Sequence, residues 1–160
     1  MEVATALGAD LSTSIPEDYD DLDIETSAYA IVEIPGGVLA IEYSGYADPS
    51  LEALRQVTTG GRDAAVVRSN ILVHYRFGCA KDGHIVFDDD EFAFVDPARV
   101  PRELRALFDG VRDLQGDVLA VGLAMAEVVT GVRVTAEDLQ RASNGSYYEV
   151  SSTTYLPDET

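Results

Sequence analysis

Apolar and polar residues alternate through residues 28–43, and that alternation predicts a β-hairpin. Its turn is Pro35-Gly36-Gly37, where glycine supplies the positive φ that tight turns require. Pairing about this turn sets Ala30, Val32 and Ile34 on one face with Leu39, Ile41 and Tyr43. Glu33 and Glu42 fall on the opposite face, so the pattern predicts one buried face and one wet one. Further strands are expected at about 64–68, 71–79 and 84–90. If Lys81-Asp82-Gly83 forms a three-residue loop with a glycine bulge, Ala80 lies opposite His84. That register gathers Ile71, Val73, Tyr75, Phe77, Cys79, Ile85 and Phe87 on one face. It places Arg76 opposite Asp88 and His74 opposite Asp90 on the other.

Helical spacing appears elsewhere. Asp48-Pro49-Ser50 opens a helix running to about Val57, with Asp48 as the expected N-cap and Pro49 at the first helical position. Leu104, Leu107, Phe108, Val111 and Leu114 recur at three- and four-residue steps, predicting an amphipathic helix from about Pro101 to Leu114. Asp117 to about Thr130 is apolar nearly all round, as in a helix buried on several sides, and Gly131 ends it. Thr135-Ala136-Glu137-Asp138 has the form of a capping box opening a short third helix. A short helix near Val3–Leu7 is also compatible with the sequence, and Ser146–Leu156 has strand propensity.

Strands first and helices afterward predict an α+β fold: an antiparallel sheet of about five strands with helices packed on one face. Residues 1–27 read as an acidic, extended or mobile arm, 28–145 as a single domain, and 146–160 as a Tyr/Ser/Thr-rich tail, strand or disordered. At 160 residues and 46% apolar composition the chain is long enough for one domain with a core.

Charge changes this picture most. The net charge is −18. No Lys or Arg precedes Arg55, whereas twelve Asp and Glu lie in residues 1–54. Such a field repels nucleic acid and anionic membranes and attracts cationic surfaces. The eleven bases are ten Arg and Lys81 alone, a bias that a GC-rich genome or a salt-adapted proteome also produces, and with it a general acidity that serves solvation and no partner. The longest apolar stretch, Val118–Met125, is too short to span a bilayer. A single cysteine, Cys79, cannot form an intramolecular disulfide, and the first residues lack the basic and apolar regions of a signal peptide. A cytoplasmic location is the expectation.

From Gly36 to Leu139 the order of features is that of a known pattern. The strand Gly37-Val38-Leu39-Ala40-Ile41-Glu42 is followed by Gly45-Tyr46 and a short helix, then by Thr59-Gly60-Gly61-Arg62. Two strands around Asn70 precede Lys81-Asp82-Gly83. The helix Leu119–Glu127 ends in Thr130-Gly131-Val132-Arg133-Val134-Thr135. Together these resemble an uncharacterised domain family of actinobacteria and their phages, over roughly two thirds of the chain. The first strand has no Trp where that pattern begins with one. The resemblance implies a fold and carries no functional residue.

Candidate chemistry is sparse. Asp88-Asp89-Asp90-Glu91 invites a hard cation, yet alternate strand residues face opposite ways, which favours a solvated strand end. Asp18, Asp20, Asp21 and Asp23 are dense but lack calcium-loop spacing. His74 and His84 share a face roughly 20 Å apart, too far for one metal. Cys79 alternates with Phe77 and Tyr75 as a small buried hydrophobe would. Glu127, inside an apolar helix, is either a buried carboxylate or an Arg partner. No phosphate loop, dinucleotide fingerprint, zinc-protease helix or nucleophile elbow occurs. No cofactor, metal or catalytic residue is therefore assigned.

The expected function is a non-enzymatic binding protein that engages a basic protein surface, such as a nucleic-acid-binding enzyme or toxin. It would act as an inhibitor or immunity-type factor that mimics nucleic acid. Its candidate contacts are Glu17, Asp18, Tyr19, Asp20, Asp21, Asp23, Glu33 and Glu42, with Tyr19, Tyr29 or Tyr46 as aromatic anchors. The alternatives are a small metal-dependent hydrolase using His74, Asp88 and Asp90, and a housekeeping module with no dedicated acidic interface.

Overall fold

A computed structural model describes residues 2–12, 14–15, 26–42, 48–69, 75–113 and 117–151. Residues 1–53 and 134–160 form one compact unit, and residues 54–133 form a second. Each contains its own antiparallel sheet.

The first unit holds helix α1 (Glu2–Ala6) and strands β1 (Ser14–Ile15), β2 (Thr26–Ile34) and β3 (Gly37–Glu42). It is completed by helix α5 (Ala136–Ser143) and strand β7 (Tyr147–Ser151). The strand order is β1-β7-β2-β3. The β2–β3 hairpin has the register its alternation predicts, with Val32 opposite Leu39 and Ala30 opposite Ile41. Its loop is two residues, Pro35-Gly36, and Gly36 takes φ 88°. Ala28, Ala30 and Tyr147 meet Ala142 of α5, with Val32 and Ile41 at the margin. Alanines on both sides let the helix come close. The opposite face, expected to be wet, carries a second apolar cluster: Tyr29, Ile31, Ala40 and Val150 pack with Leu7 and Val3 at the N-terminal helix.

Segments predicted as arm and tail supply two of the four strands. Ser14 pairs with Tyr148 and Ile15 with Tyr147, and β7 then pairs along β2 from Ala30–Tyr147 to Thr26–Ser151. Asp10 extends this zipper by donating its N–H to the Glu149 carbonyl at 3.2 Å. Strand propensity in the Tyr-rich segment is thus satisfied inside the chain's own sheet.

The second unit holds strands β4 (Asp63–Ser69), β5 (Tyr75–Lys81) and β6 (His84–Asp89), in that order across the sheet. Helices α3 (Arg105–Asp113) and α4 (Val118–Thr130) follow three single turns of 3-10 helix. Helix α2 (Leu51–Thr58) spans the boundary between the units. Its N-cap is Ser50, whose hydroxyl accepts the Ala53 N–H at 3.1 Å, and not Asp48 as expected, so Leu51 and not Pro49 is the first helical residue. Phe77, Cys79 and Phe87 of the sheet meet Phe92, Val100, Leu104, Phe108, Met125 and Val129 in the larger core of the molecule. The single five-stranded sheet of the sequence reading is replaced by a four-stranded and a three-stranded one. The α+β class stands.

Two predicted details of the second unit are corrected. The β5–β6 turn is Asp82-Gly83, two residues with φ of 46° and 77°, so Lys81 faces His84. A bulge between Cys79 and Ala80 then moves the register, so Gly78, not Arg76, stands opposite Asp88. The extra residue restores parity, which keeps Phe77, Cys79 and Phe87 together on the core face. Helix α4, capped by Asp117 on the Ala120 N–H and ended by Gly131 at φ 70°, is not enclosed on every side. Leu119 is 40% and Val128 48% exposed.

Gly122 marks the closest approach of α4 to its sheet: a Cβ there would lie 2.6 Å from Val67 Cγ1. Alanine would gain about 1 kcal/mol in helix propensity. Crowding a β-branched strand residue costs about 1–3 kcal/mol. Gly122→Ala should therefore lower the urea midpoint of unfolding; a raised midpoint would mean that the helix and sheet are not in contact there.

Candidate functional site

The division into units sorts the charge. Residues 1–53 and 134–160 hold seventeen acids and one base, Arg141, a net −16. Residues 54–133 hold twelve acids and ten bases, a net −2. Nearly the whole field of the protein therefore arises from the half built on the β1-β7-β2-β3 sheet.

The lone base of that half is spent internally. Arg141 donates to Asp138 Oδ1 at 2.7 Å and to the Glu33 carbonyl at 3.2 Å. Asp138 also accepts from the Thr135 hydroxyl at 2.6 Å and the Thr135 N–H at 3.0 Å, while the Thr135 hydroxyl accepts the Asp138 N–H. This is the capping box read from the sequence. Arg141 sits in the last turn of α5, where a cation opposes the negative end of the helix dipole.

Glu33 and Glu42 do share a sheet face, as predicted. They stand at opposite ends of it: Glu33 faces Val38 and Glu42 faces Tyr29. Four residues of strand separate those positions, roughly 13 Å. Between them lie Ile31 and Ala40, packed in the apolar cluster with α1. The two carboxylates are separate points on the rim of that cluster and not one continuous patch. Tyr29 is 4% exposed and is core, which removes it as a surface anchor. Glu17, Asp18, Tyr19, Asp20, Asp21, Asp23 and Tyr46 lie outside the described residues.

The acids at the end of β6 have a different fate. Arg76, 2% exposed, donates from Nε to Asp88 Oδ1 at 2.9 Å and stands 3.7 Å from Asp90 Oδ1. Arg68, directly opposite Arg76 on β4, lies 3.7 Å from the same Asp90 oxygen. Asp89 meets Arg99 at 3.3 Å. Two guanidinium groups facing each other across strands would repel, and the aspartates between them offset this. Gly78 makes the arrangement sterically possible, since a Cβ there would fall onto the Asp88 carboxylate and against Val66. A cation placed between Asp88 and Asp90 would meet both guanidinium groups. The cluster as built is a neutral structural one. His74 lies outside the described residues, so its pairing with Asp90 does too. Among the described residues no group of three His, Cys, Asp or Glu side chains could hold a metal ion.

The remaining candidates are structural. Cys79 is fully buried, and burial pushes its thiol up to about 11, far from a reactive thiolate. Glu127 is the Arg partner: Arg133 Nε reaches its two oxygens at 3.0 and 3.1 Å, and the carboxylate holds the guanidinium pKa up. His84 is exposed and its Nδ1 lies 2.8 Å from the Asp82 carbonyl. A recess in the first unit, lined by Ala6, Leu7, Tyr29, Asp48, Ala53 and Val150, has room for about one water. No helix among the described residues is long and apolar enough to cross a membrane.

No protein-family model, curated protein or solved structure matches the chain. The site therefore rests on geometry and charge alone. Sequence reasoning missed Gly78, although a glycine inside a strand is a sign of close approach by a neighbour. It also missed that Arg141 belongs with the acidic half, because residues 134–142 are remote from it along the chain.

Thr135 and Arg141 hold the Asp138 carboxyl below its ordinary value of 3.8. A carboxylate whose pKa is lower folded than unfolded stabilises above the unfolded value and loses that contribution as pH falls through the folded one. Asp138→Asn should thus be less stable than the parent at pH 7, with the gap closing below about pH 4. Urea unfolding of both proteins across that range checks this; a gap that persists undiminished at about pH 2 contradicts it.

Proposed function

We propose that this chain is a non-enzymatic acidic binding protein that engages a basic protein surface, acting as an inhibitor or immunity-type factor that mimics nucleic acid. The observation that supports the reading is the partition of charge between the two stretches of chain: residues 1–53 and 134–160 carry a net −16, whereas residues 54–133 are close to neutral at −2. General solvation needs no such partition; a field with one source orients an approaching cation and speeds its encounter. The second unit's twelve acids are nearly balanced by its ten bases, and Asp88, Asp89 and Asp90 are engaged with Arg76, Arg99 and Arg68, so this unit adds little to that field.

A partner of this kind is a protein whose Lys and Arg cradle phosphates. The run Glu17-Asp18-Tyr19-Asp20-Asp21-Leu22-Asp23 supplies closely spaced carboxylates with one aromatic side chain, and Glu33 and Glu42 add points of charge. Carboxylates at such density stand in for phosphates, and each Arg they meet gains a charge-assisted hydrogen bond. Occupying the groove excludes the nucleic acid, which is inhibition without chemistry.

The test is capture of partners on the immobilised protein, beside a variant with Asp18, Asp20, Asp21 and Asp23 changed to Asn. Bound proteins should be basic, be displaced by duplex DNA, and be released between roughly 0.05 and 0.5 M salt as screening shortens. The variant should bind them about tenfold or more weakly, or ~1.4 kcal/mol. A partner retained at high salt, or held equally by the variant, overturns the reading.

A further inference from the structure

We propose that β3 is a docking edge onto which an extended, basic segment of the partner adds as a fifth strand. This rests on the reading that the partner is basic, and specifies how it is held.

β3 closes one side of the first unit's sheet, and among the described residues its strand neighbour is β2. Its six residues pair with β2 in unbroken register from Ile34–Gly37 to Tyr29–Glu42. Across a two-residue hairpin loop, the pair next to the turn exchanges hydrogen bonds and successive pairs alternate. Gly37, Leu39 and Ile41 therefore direct their backbone groups toward β2. Val38 and Ala40 direct theirs away from the sheet.

Edge strands ordinarily carry a device against added strands. β1 is two residues long. β6 has its bulge and ends in Asp88 and Asp89. β4 carries Arg68 within its paired stretch. β3, Gly37-Val38-Leu39-Ala40-Ile41-Glu42, has no proline, no lysine, no bulge and no charge before its last residue. None of its residues is fully buried, and Val38 is 42% exposed.

Charge decides the occupant. A second copy docked at this edge would bring one net −16 unit against another. A basic strand is drawn to it instead. Side chains of an added strand alternate, one set falling beside Leu39 and Ile41, the other beside Val38, Ala40 and Glu42. Apolar residues suit the first set. Lys or Arg suits the second, with aliphatic stems over Val38 and Ala40 and charged heads toward Glu33 and Glu42. The partner segment thus alternates apolar and basic residues, held by main-chain bonds and selected by charge.

The probe is an end-blocked peptide of about eight residues alternating Lys and Val, long enough to cover β3. Titrated at low salt into the full chain, it should slow hydrogen exchange at the Val38 and Ala40 amides. Ala40→Pro removes an outward N–H that the β2 ladder does not use, and should weaken binding about tenfold or more. As a control independent of the variant's folding, the same peptide N-methylated at every residue keeps its charge and should bind as weakly. A Glu/Val peptide should not bind. Binding of the Lys/Val peptide that ignores both changes overturns the docking edge and leaves the acidic-binding reading standing. Absence of any binding by the Lys/Val peptide at low salt, together with failure to capture a basic partner, removes both. A peptide-free dimer that Ala40→Pro dissociates would make a second copy the occupant and overturn the proposal.

Discussion

Half of this chain must fold with seventeen carboxylates and a single guanidinium, and that self-repulsion is the constraint to which its architecture answers. Main-chain pairing supplies the answer. β7, from the far end of the chain, lies between β1 and β2, so strands separated by more than a hundred residues are hydrogen-bonded neighbours. Alanines at 28, 30 and 142 are fully buried where α5 meets the sheet. The Thr135–Asp138–Arg141 network caps that helix and engages the unit's one guanidinium, on the surface, with Asp138 and the Glu33 carbonyl.

The second unit solves the opposite problem. It has nearly as many bases as acids, and the acids at the end of β6 are engaged with Arg68, Arg76 and Arg99. Gly78 gives Asp88 the space to lie across β5 beneath the buried Arg76. Such a pair is costly to break and adds little net stability over an apolar substitute. Cys79 of this half is buried and its thiol is held protonated.

Much of the local structure was legible because it depends on neighbours in sequence. The β2–β3 register follows from alternation around a turn, α4 from Asp117 and Gly131, and the start of α5 from the spacing of Thr135 and Asp138. The sheet count was not legible. Pairing of β7 with β1 and β2 is non-local, and the acidic composition of the first 27 residues argues for an extended chain unless that pairing is known. The two-residue Asp82-Gly83 turn and its compensating bulge keep Phe77, Cys79 and Phe87 on one face and move only Ile85, which pairs with Ala80 on the other, so periodicity alone does not distinguish them from a three-residue loop. Of the candidate site, the shared face of Glu33 and Glu42 was readable; the apolar cluster of Ile31 and Ala40 with Leu7 between them was not. The acidic run at 17–23 lies outside the described residues.

The central claim, that one half of the chain is the source of nearly all the field, is open to direct mapping. Paramagnetic relaxation of backbone amides by a cationic and by an anionic nitroxide co-solute gives the near-surface potential residue by residue. Strongly negative values are expected over β2, β3, α5 and β7, and values near zero across residues 54–133. A potential of equal strength over both halves would contradict it.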